Sequence, residues 1–173
     1  YYTIPRYSFT SVDGINYTTK EDIPYNATDG DLSTINESSK YILCQGKYNE
    51  YPAYQSGGEK FETVTLALQS DILVDHHSID VYIKSVSTGK YTQWKETSSL
   101  FMNKGDDRVY ELRLNENYRY EVKFGDDING TKLQPGDIVS IYYIRSDGSD
   151  GIISANTLKN AKVDAKVDAK VAA

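Results

Sequence analysis

The chain has little of what usually marks an enzyme or a metal protein. It has one cysteine, Cys44, among 173 residues, so no internal disulfide can form. That fits a reducing cytosol or a particle assembled there. It has two histidines, His76 and His77, and they are adjacent. A nucleophilic Cys44 would need a base, and both histidines are remote in sequence. Cys44 therefore reads as a small buried apolar residue. Neighbours on a strand point to opposite faces and no third ligand stands out, which argues against a histidine metal site. No P-loop, HExxH, GxSxG or CxxC motif occurs. No apolar run approaches the length of a membrane span, and no secretion signal is visible. Without such a signal, the Asn-x-Ser/Thr triplets at Asn16, Asn26, Asn36 and Asn129 read as chance. The net charge of −6 argues against nucleic acid or an anionic membrane as the main partner. The first residue is Tyr1, not Met, so the chain is expected to be a piece of something longer.

What is abundant is tyrosine: sixteen, against four phenylalanines. Tyrosine suits a half-buried pleated surface, where the ring packs and the hydroxyl stays wet. Helical periodicity is scarce, while alternation and turn signals dominate. The expected fold is all-β, mainly antiparallel, a sandwich-like module with long loops and little helix. "YTIPRYSFT" and "INYTT" read as short strands around Asp13-Gly14. The polar stretch from Glu21 to Ser39 reads as a loop. "KYILCQGKY" reads as a strand from Lys40 with a bend at Gly46, and "NEYPAYQSGG" as another loop. Val64, Leu66 and Leu68 share a face, as do Ile79, Val81 and Ile83. A turn at Ser87–Lys90 then predicts a hairpin into "YTQWKET", with Trp94 as a packing anchor.

The next pair of strands predicts its own register. "RVYELRL" and "YRYEVKF" each alternate apolar with charged residues. Pairing Leu114 with Tyr120 sets Leu112 against Val122, Tyr110 against Phe124, Arg113 against Glu121 and Glu111 against Lys123. Pairing Leu114 with Tyr118 keeps the faces but opposes like charges, at about 0.2–1 kcal/mol per pair. The first register is expected, with a loop from Asn115 to Arg119. "DIVSIYYIR" is apolar on both faces and reads as a central strand.

The acidic stretch "GDDINGTKLQPG" between these last strands invites a calcium reading. Placing Gly130 at position six of an EF-hand loop puts Gly125 at position one and Gly136 at position twelve, so both key ligands fail. A different cation site at Asp126, Asp127 and Asn129 stays open. The simpler reading is a glycine-punctuated bend from Phe124 to Ile138.

"YRYEVKFGDDINGTKLQPGDIVSIYYIRSDGSDG" resembles a signature of baseplate J-like proteins from contractile-tailed phages and related injection machines. There, a strand runs into an FGDG-x-x-G turn, a P-x-G bend, and a strand with a terminal Tyr and a Gly-rich close. The matching positions are Phe124, Gly125, Asp126, Gly130, Pro135, Gly136, Tyr143 and Gly148. Asp127 stands where a glycine is usual, which changes the backbone demand of the turn. Upstream, "IPRYSFTSVDGINYTT" looks like the family's opening segment, "CQGKYNEY" like its Q-G strand and "YTQWKET" like its Trp-containing strand. The resemblance spans about Ile4 to Gly151 and is specific from Tyr118 onward. The tyrosine-rich, acidic character looks closest to the T-even type of wedge subunit.

The resemblance implies a structural protein of the virion tail baseplate, assembled in the host cytoplasm. It implies contacts with copies of itself and other wedge proteins, in a ring around the hub that rearranges when the tail contracts. It implies no catalytic residues, no cofactor, no metal, no nucleic acid, no membrane and no small-molecule substrate. The expected organisation is residues 1–57 as short strands and loops, 58–155 as the main module, and 156–173 as a tail. The tail's "AKVDAKVDAKV" repeat reads as a linker or an expression scar and receives no function. A carbohydrate- or receptor-binding β-sandwich is the alternative. A hydrolase of unidentified type is the third reading, with no carboxylate pair that sequence can single out among 25 acidic residues.

Overall fold

The computed structural model describes residues 2–28, 31–34, 41–69, 72–154 and 162–164. Among them are fifteen strands and two short 3-10 turns, so the all-β, mainly antiparallel expectation holds. In chain order the first strands are β1 (Tyr2–Ile4), β2 (Phe9–Val12), β3 (Ile15–Thr19), β4 (Ile23–Thr28), β5 (Asp31–Thr34) and β6 (Leu43–Gln45). Then come β7 (Lys47–Glu50), β8 (Tyr54–Gln55), β9 (Thr63–Thr65), β10 (Leu73–Lys84) and β11 (Tyr91–Thr97). The last are β12 (Val109–Leu114), β13 (Tyr120–Lys123), β14 (Ile138–Ser146) and β15 (Val163–Asp164).

The chain divides into two compact units. One gathers the described residues of Tyr1–Asn49, Leu73–Ser78 and Ile144–Ala172; the other gathers Glu50–Ile72 and Ile79–Tyr143. The division follows contacts and not chain order, so β10 and β14 each contribute residues to both.

The first unit holds two small sheets, β1-β4-β5 and β15-β2-β3-β6. Asp13 and Gly14, both at positive φ, make the two-residue turn of the β2–β3 hairpin. The stretch from Glu21 to Ser39 is not all loop. Within it, Ile23 to Tyr25 pair with β1 and Tyr25 to Thr28 with β5. Ile23 and Tyr25 favour extended backbone, and ladder pairing compensates for the polar residues around them. Positions 29–30 and 35–40, including Lys40, lie outside the described residues. The predicted bend at Gly46 is present. A Cβ there would lie 2.3 Å from the Arg145 carbonyl oxygen, so only glycine admits this approach. Cys44 is half-buried, not buried as expected. Burial pushes its thiol pKa up; Lys20 and Ser78 oppose that shift, whereas Asp75 adds to it. Of the repetitive tail, Val163 and Asp164 pair with Thr10 and Phe9.

The second unit carries most of an eight-stranded sheet of order β7-β14-β10-β11-β12-β13-β9, with β8 also on β14. β10 and β11 form the predicted hairpin, with Val81 opposite Trp94, although the connection opens to residues 85–90. β12 and β13 adopt the predicted register, Leu114 to Tyr120 and Glu111 to Lys123, with the loop at 115–119. The burial along β12 departs from simple alternation. Glu111 is buried while Leu114 is half exposed. Glu111 pairs with Arg113 on its own strand and accepts the Leu100 N–H at 3.2 Å. β11 and β12 run parallel, because residues 98–108 cross over between them. β14 is buried from Val139 to Ile144, as its two apolar faces predict. The core of this unit includes Val64, Leu66, Ile79, Val81, Ile83, Leu100, Val122, Phe124, Leu133, Val139, Ile141 and Tyr142, with Trp94 edge-on to Phe124 at 5.6 Å. The segment expected as loop, "NEYPAYQSGG", contributes β8, which pairs Tyr54 and Gln55 with Val139 and Ile138.

Candidate functional site

Six of the eight motif residues come together in the connection from β13 to β14. Phe124 is fully buried. Gly125 donates its N–H to the Thr131 carbonyl at 3.2 Å. A Cβ on Gly125 would lie 2.0 Å from the Gly130 carbonyl oxygen, so the strand exit and the turn's end touch backbone to backbone. Asp126 starts the turn with one carboxylate oxygen, which accepts from the N–H groups of Ile128 (3.1 Å) and Asn129 (2.8 Å) and from the Asn129 amide (3.3 Å). The Asn129 N–H holds the Asp126 carboxyl below its ordinary pKa; slight burial opposes this, and Ile128, the Asn129 side chain and Lys60 assist. Asp127 sits at φ +69° and accepts the Lys132 N–H at 2.9 Å. Gly130 donates to the Lys104 carbonyl at 3.0 Å and accepts from Asp127. Pro135 and Gly136 make the second bend; Pro135 packs where a Gly58 Cβ would be, and Gly136 donates to Ser56.

Tyr143 is buried on β14, and Gly148, at φ +58°, belongs to the other unit, where it donates its N–H to the Ser146 hydroxyl oxygen at 3.0 Å. Asp126, Asp127 and Asn129 do lie in one turn. One carboxylate oxygen each of Asp126 and Asp127 accepts the turn's own N–H groups, and among the described residues no three His, Cys, Asp or Glu side chains group as metal ligands. His76 and His77 lie edge to face at 5.2 Å, both exposed. Trp94 is a packing residue against Phe124.

Two residues that sequence reasoning passed over organise this region. Asp137 is buried and follows the Pro135-Gly136 bend. Its carboxylate accepts the Val86 N–H at 2.8 Å and the Gln134 N–H at 2.9 Å. It thereby ties the bend to the end of β10. Its position directly after Pro-Gly is the only hint in the sequence.

The other is Glu62, also buried. Five donors converge on its carboxylate: the hydroxyls of Tyr54 (2.8 Å) and Ser56 (2.7 Å) and the N–H groups of Gly57 (2.8 Å), Gly58 (3.1 Å) and Glu59 (3.3 Å). Burial pushes its pKa up. Ser56, Gly57, Tyr54 and Gly58 outweigh that and hold it below the ordinary carboxylate range. The Tyr54 phenol is correspondingly pushed up, first by its bond to Glu62. Phe61, just before it, takes φ +53°, a costly conformation for a bulky residue.

Glu62 and Tyr51 together close the curled sheet. Residues 51–56 bond to β14 through backbone, Tyr51 N–H to Ile141 and Ser56 N–H to Asp137. They reach the β9 side only through side chains. The Tyr51 hydroxyl donates to the Thr65 carbonyl at 3.3 Å and accepts the Ala67 N–H at 3.0 Å. One phenol thus stands where a neighbouring strand would, and shields part of an otherwise open edge.

Both carboxylate oxygens of Glu62 and of Asp137 accept hydrogen bonds, whereas Asp126 and Asp127 each accept through one oxygen, and the buried Thr131 hydroxyl has no hydrogen-bond partner among the described residues. A scan of family models finds no match to the chain, and a search of curated proteins likewise finds none.

Proposed function

We propose that the chain is a structural module of a contractile-tail baseplate, of the wedge-subunit kind. It is a non-enzymatic virion component that works without a cofactor. Its partners are copies of itself and other wedge proteins, linked in a ring around the hub that rearranges on contraction. The observation that carries this reading is the 124–137 connection. The residues resembling the baseplate motif form an interlocked turn in which Asp126, Asp127 and Asp137 each accept backbone N–H groups of the same connection. Asp127, which stands at the motif's usual glycine, has the positive φ that glycine adopts most cheaply. A turn built this way holds a shape, which is what a scaffold requires of it.

The test mixes the chain with the other wedge proteins of a contractile-tail baseplate and follows sedimentation. Entry into a complex heavier than any component is expected. The parallel arm titrates the chain with a panel of oligosaccharides. Saturable sugar binding, with no entry into wedge complexes, would favour the carbohydrate-binding alternative and sink this one.

A further inference from the structure

The outer edge of β2, the one away from β3, is covered by the chain's own tail. The two-residue Asp13-Gly14 turn sets the backbone groups of Thr10 and Val12 toward β3 and those of Phe9 and Ser11 away from it. Ser8 keeps the same alternation, since its carbonyl accepts the Thr19 N–H at 2.9 Å. On the outward side β15 pairs Val163 with Thr10 and Asp164 with Phe9, and the buried Thr10 hydroxyl donates to the Lys162 carbonyl at 2.6 Å. These bonds engage main chain, which every residue supplies. The sequence that makes them also recurs: Ala-Lys-Val-Asp stands at 161–164 and again at 165–168, and Ala-Lys-Val at 169–171. Residues 165–173 lie outside the described residues. A slip of one residue flips every side chain to the other face. A slip of two sets Lys166 opposite Phe9, over whose ring the Lys47 ammonium already lies at 4.9 Å. A slip of four restores the same residue types opposite the same partners.

We infer that the outer edge of β2 is a strand-acceptor site for the Lys-Val-Asp unit, and that the chain's own tail fills it in registers four residues apart. The ligand class is an extended peptide that alternates small apolar with charged residues. The chain is anchored just upstream: the Gly151 carbonyl accepts the Tyr17 hydroxyl at 2.7 Å, and Tyr17 lies on β3 of the same sheet. Residues 152–161 lead from that anchor to Lys162, and the later registers lengthen this connection to 152–165 and 152–169. Closing a loop of n residues costs (3/2)RT ln n, so each slip lowers the population only about 1.5- to 1.7-fold. The last unit carries Ala172 where the others have Asp, and so lacks the acidic residue opposite Phe9. Each slip moves the docked point by about 13 Å of extended chain. The tail is thus an adjustable clasp, lengthened or shortened without leaving its edge. The inference stands apart from the scaffold reading and needs no second copy.

Hydrogen exchange of the whole 173-residue chain, read at the Phe9 and Ser11 amides, tests this. Both face β15 and should be protected in the unaltered chain. Lys162→Pro with Asp164→Pro removes the two N–H donors that the first unit aims at β2. Protection at Phe9 and Ser11 should then fall only about two- to threefold, because the later units take over. Adding Lys166→Pro, Asp168→Pro and Lys170→Pro should lower it at least about tenfold. The Thr19 amide, bonded to the Ser8 carbonyl, should stay slow throughout and shows that the sheet remains folded. Protection should also be equal at about 10 µM and about 1 mM, as an intramolecular contact requires. Complete loss with the first two prolines means a single register and overturns the inference. So does fast exchange at Phe9 and Ser11 in the unaltered chain, or protection that survives all five prolines. Protection that falls on dilution overturns it as well, and assigns the edge to the tail of a second copy.

Discussion

Replacing Glu62 with glutamine keeps the shape of the side chain and removes its charge. Glutamine retains one acceptor oxygen and turns the other into an NH₂ donor. The better orientation keeps the oxygen toward Ser56, Gly58 and Glu59, and sets the NH₂ against Tyr54 and Gly57. The Tyr54 hydroxyl can rotate and accept. The Gly57 N–H cannot, and an unmet donor costs about 1–3 kcal/mol. The three remaining bonds lose their charge assistance, at up to about 1 kcal/mol each. Gly57 and Glu59 are exposed, so water recovers part of both terms. The expected loss is about 2–3 kcal/mol, a shift on the order of 1 M in urea midpoint. Trp94, the single tryptophan, is buried in the same unit and reports its unfolding by fluorescence.

The pH dependence supplies the sharper check. The folded pKa of Glu62 lies below its unfolded value, which is about 4.3. The charge therefore stabilises fully at neutral pH, and that contribution is lost as pH falls below about 4.3 and through the folded value. The gap between wild type and Glu62→Gln should be flat from about pH 6 to 8 and shrink in acid. Glu59→Gln, on an exposed side chain, should show neither effect. A gap under about 0.5 kcal/mol at pH 7, or one that persists undiminished in acid, would refute the argued role of the carboxylate.

Gly125→Ala should destabilise the second unit by about 3 kcal/mol or more in the same urea assay, because its Cβ meets backbone that cannot step aside. Gly14→Ala, at φ +80° with nothing within 4 Å of the new Cβ, should cost only the conformational strain of about 1–2 kcal/mol, measured by thermal unfolding. Phe124→Ala should cost about 3–5 kcal/mol and shift Trp94 emission to the red even before unfolding, since the indole loses the ring it packs on. Tyr51→Phe should cost about 1 kcal/mol or less and speed hydrogen exchange at Ala67, leaving Val122 slow.

Local pattern carried much of this fold into view. Opposite-charge alternation fixed the β12–β13 register, although Arg113 then pairs along its own strand with Glu111 instead of across to Glu121. Apolar residues on both faces marked β14, and Asp13-Gly14 marked the β2–β3 hairpin. β4 escaped because its strand is polar and gains from ladder bonds, which leave no hydrophobic signature. The parallel β11–β12 pair escaped because residue patterns do not reveal which neighbour a crossover returns to. Cys44 was expected to be buried on residue type alone, and residue type does not fix depth at an individual site. At the site, glycine and proline positions gave away the turn. Glu62 and Asp137 did not stand out, because their partners are mostly backbone N–H groups and every residue except proline has one. The Ser56-Gly57-Gly58 run ahead of Glu62 is the nearest thing to a signal, and it acquires meaning only once the loop is seen to fold back.

The claim beneath the whole account is that the 124–137 connection is a closed piece of framework. Hydrogen exchange measured with and without calcium tests it most directly. The amides of Asn129, Gly130, Thr131 and Lys132 should exchange slowly, as their bonds to Asp126, Lys104, Asp107 and Asp127 require, and calcium should change nothing. Rapid exchange there, slowed on adding calcium, would contradict the account and return the turn to the class of ion-binding loops.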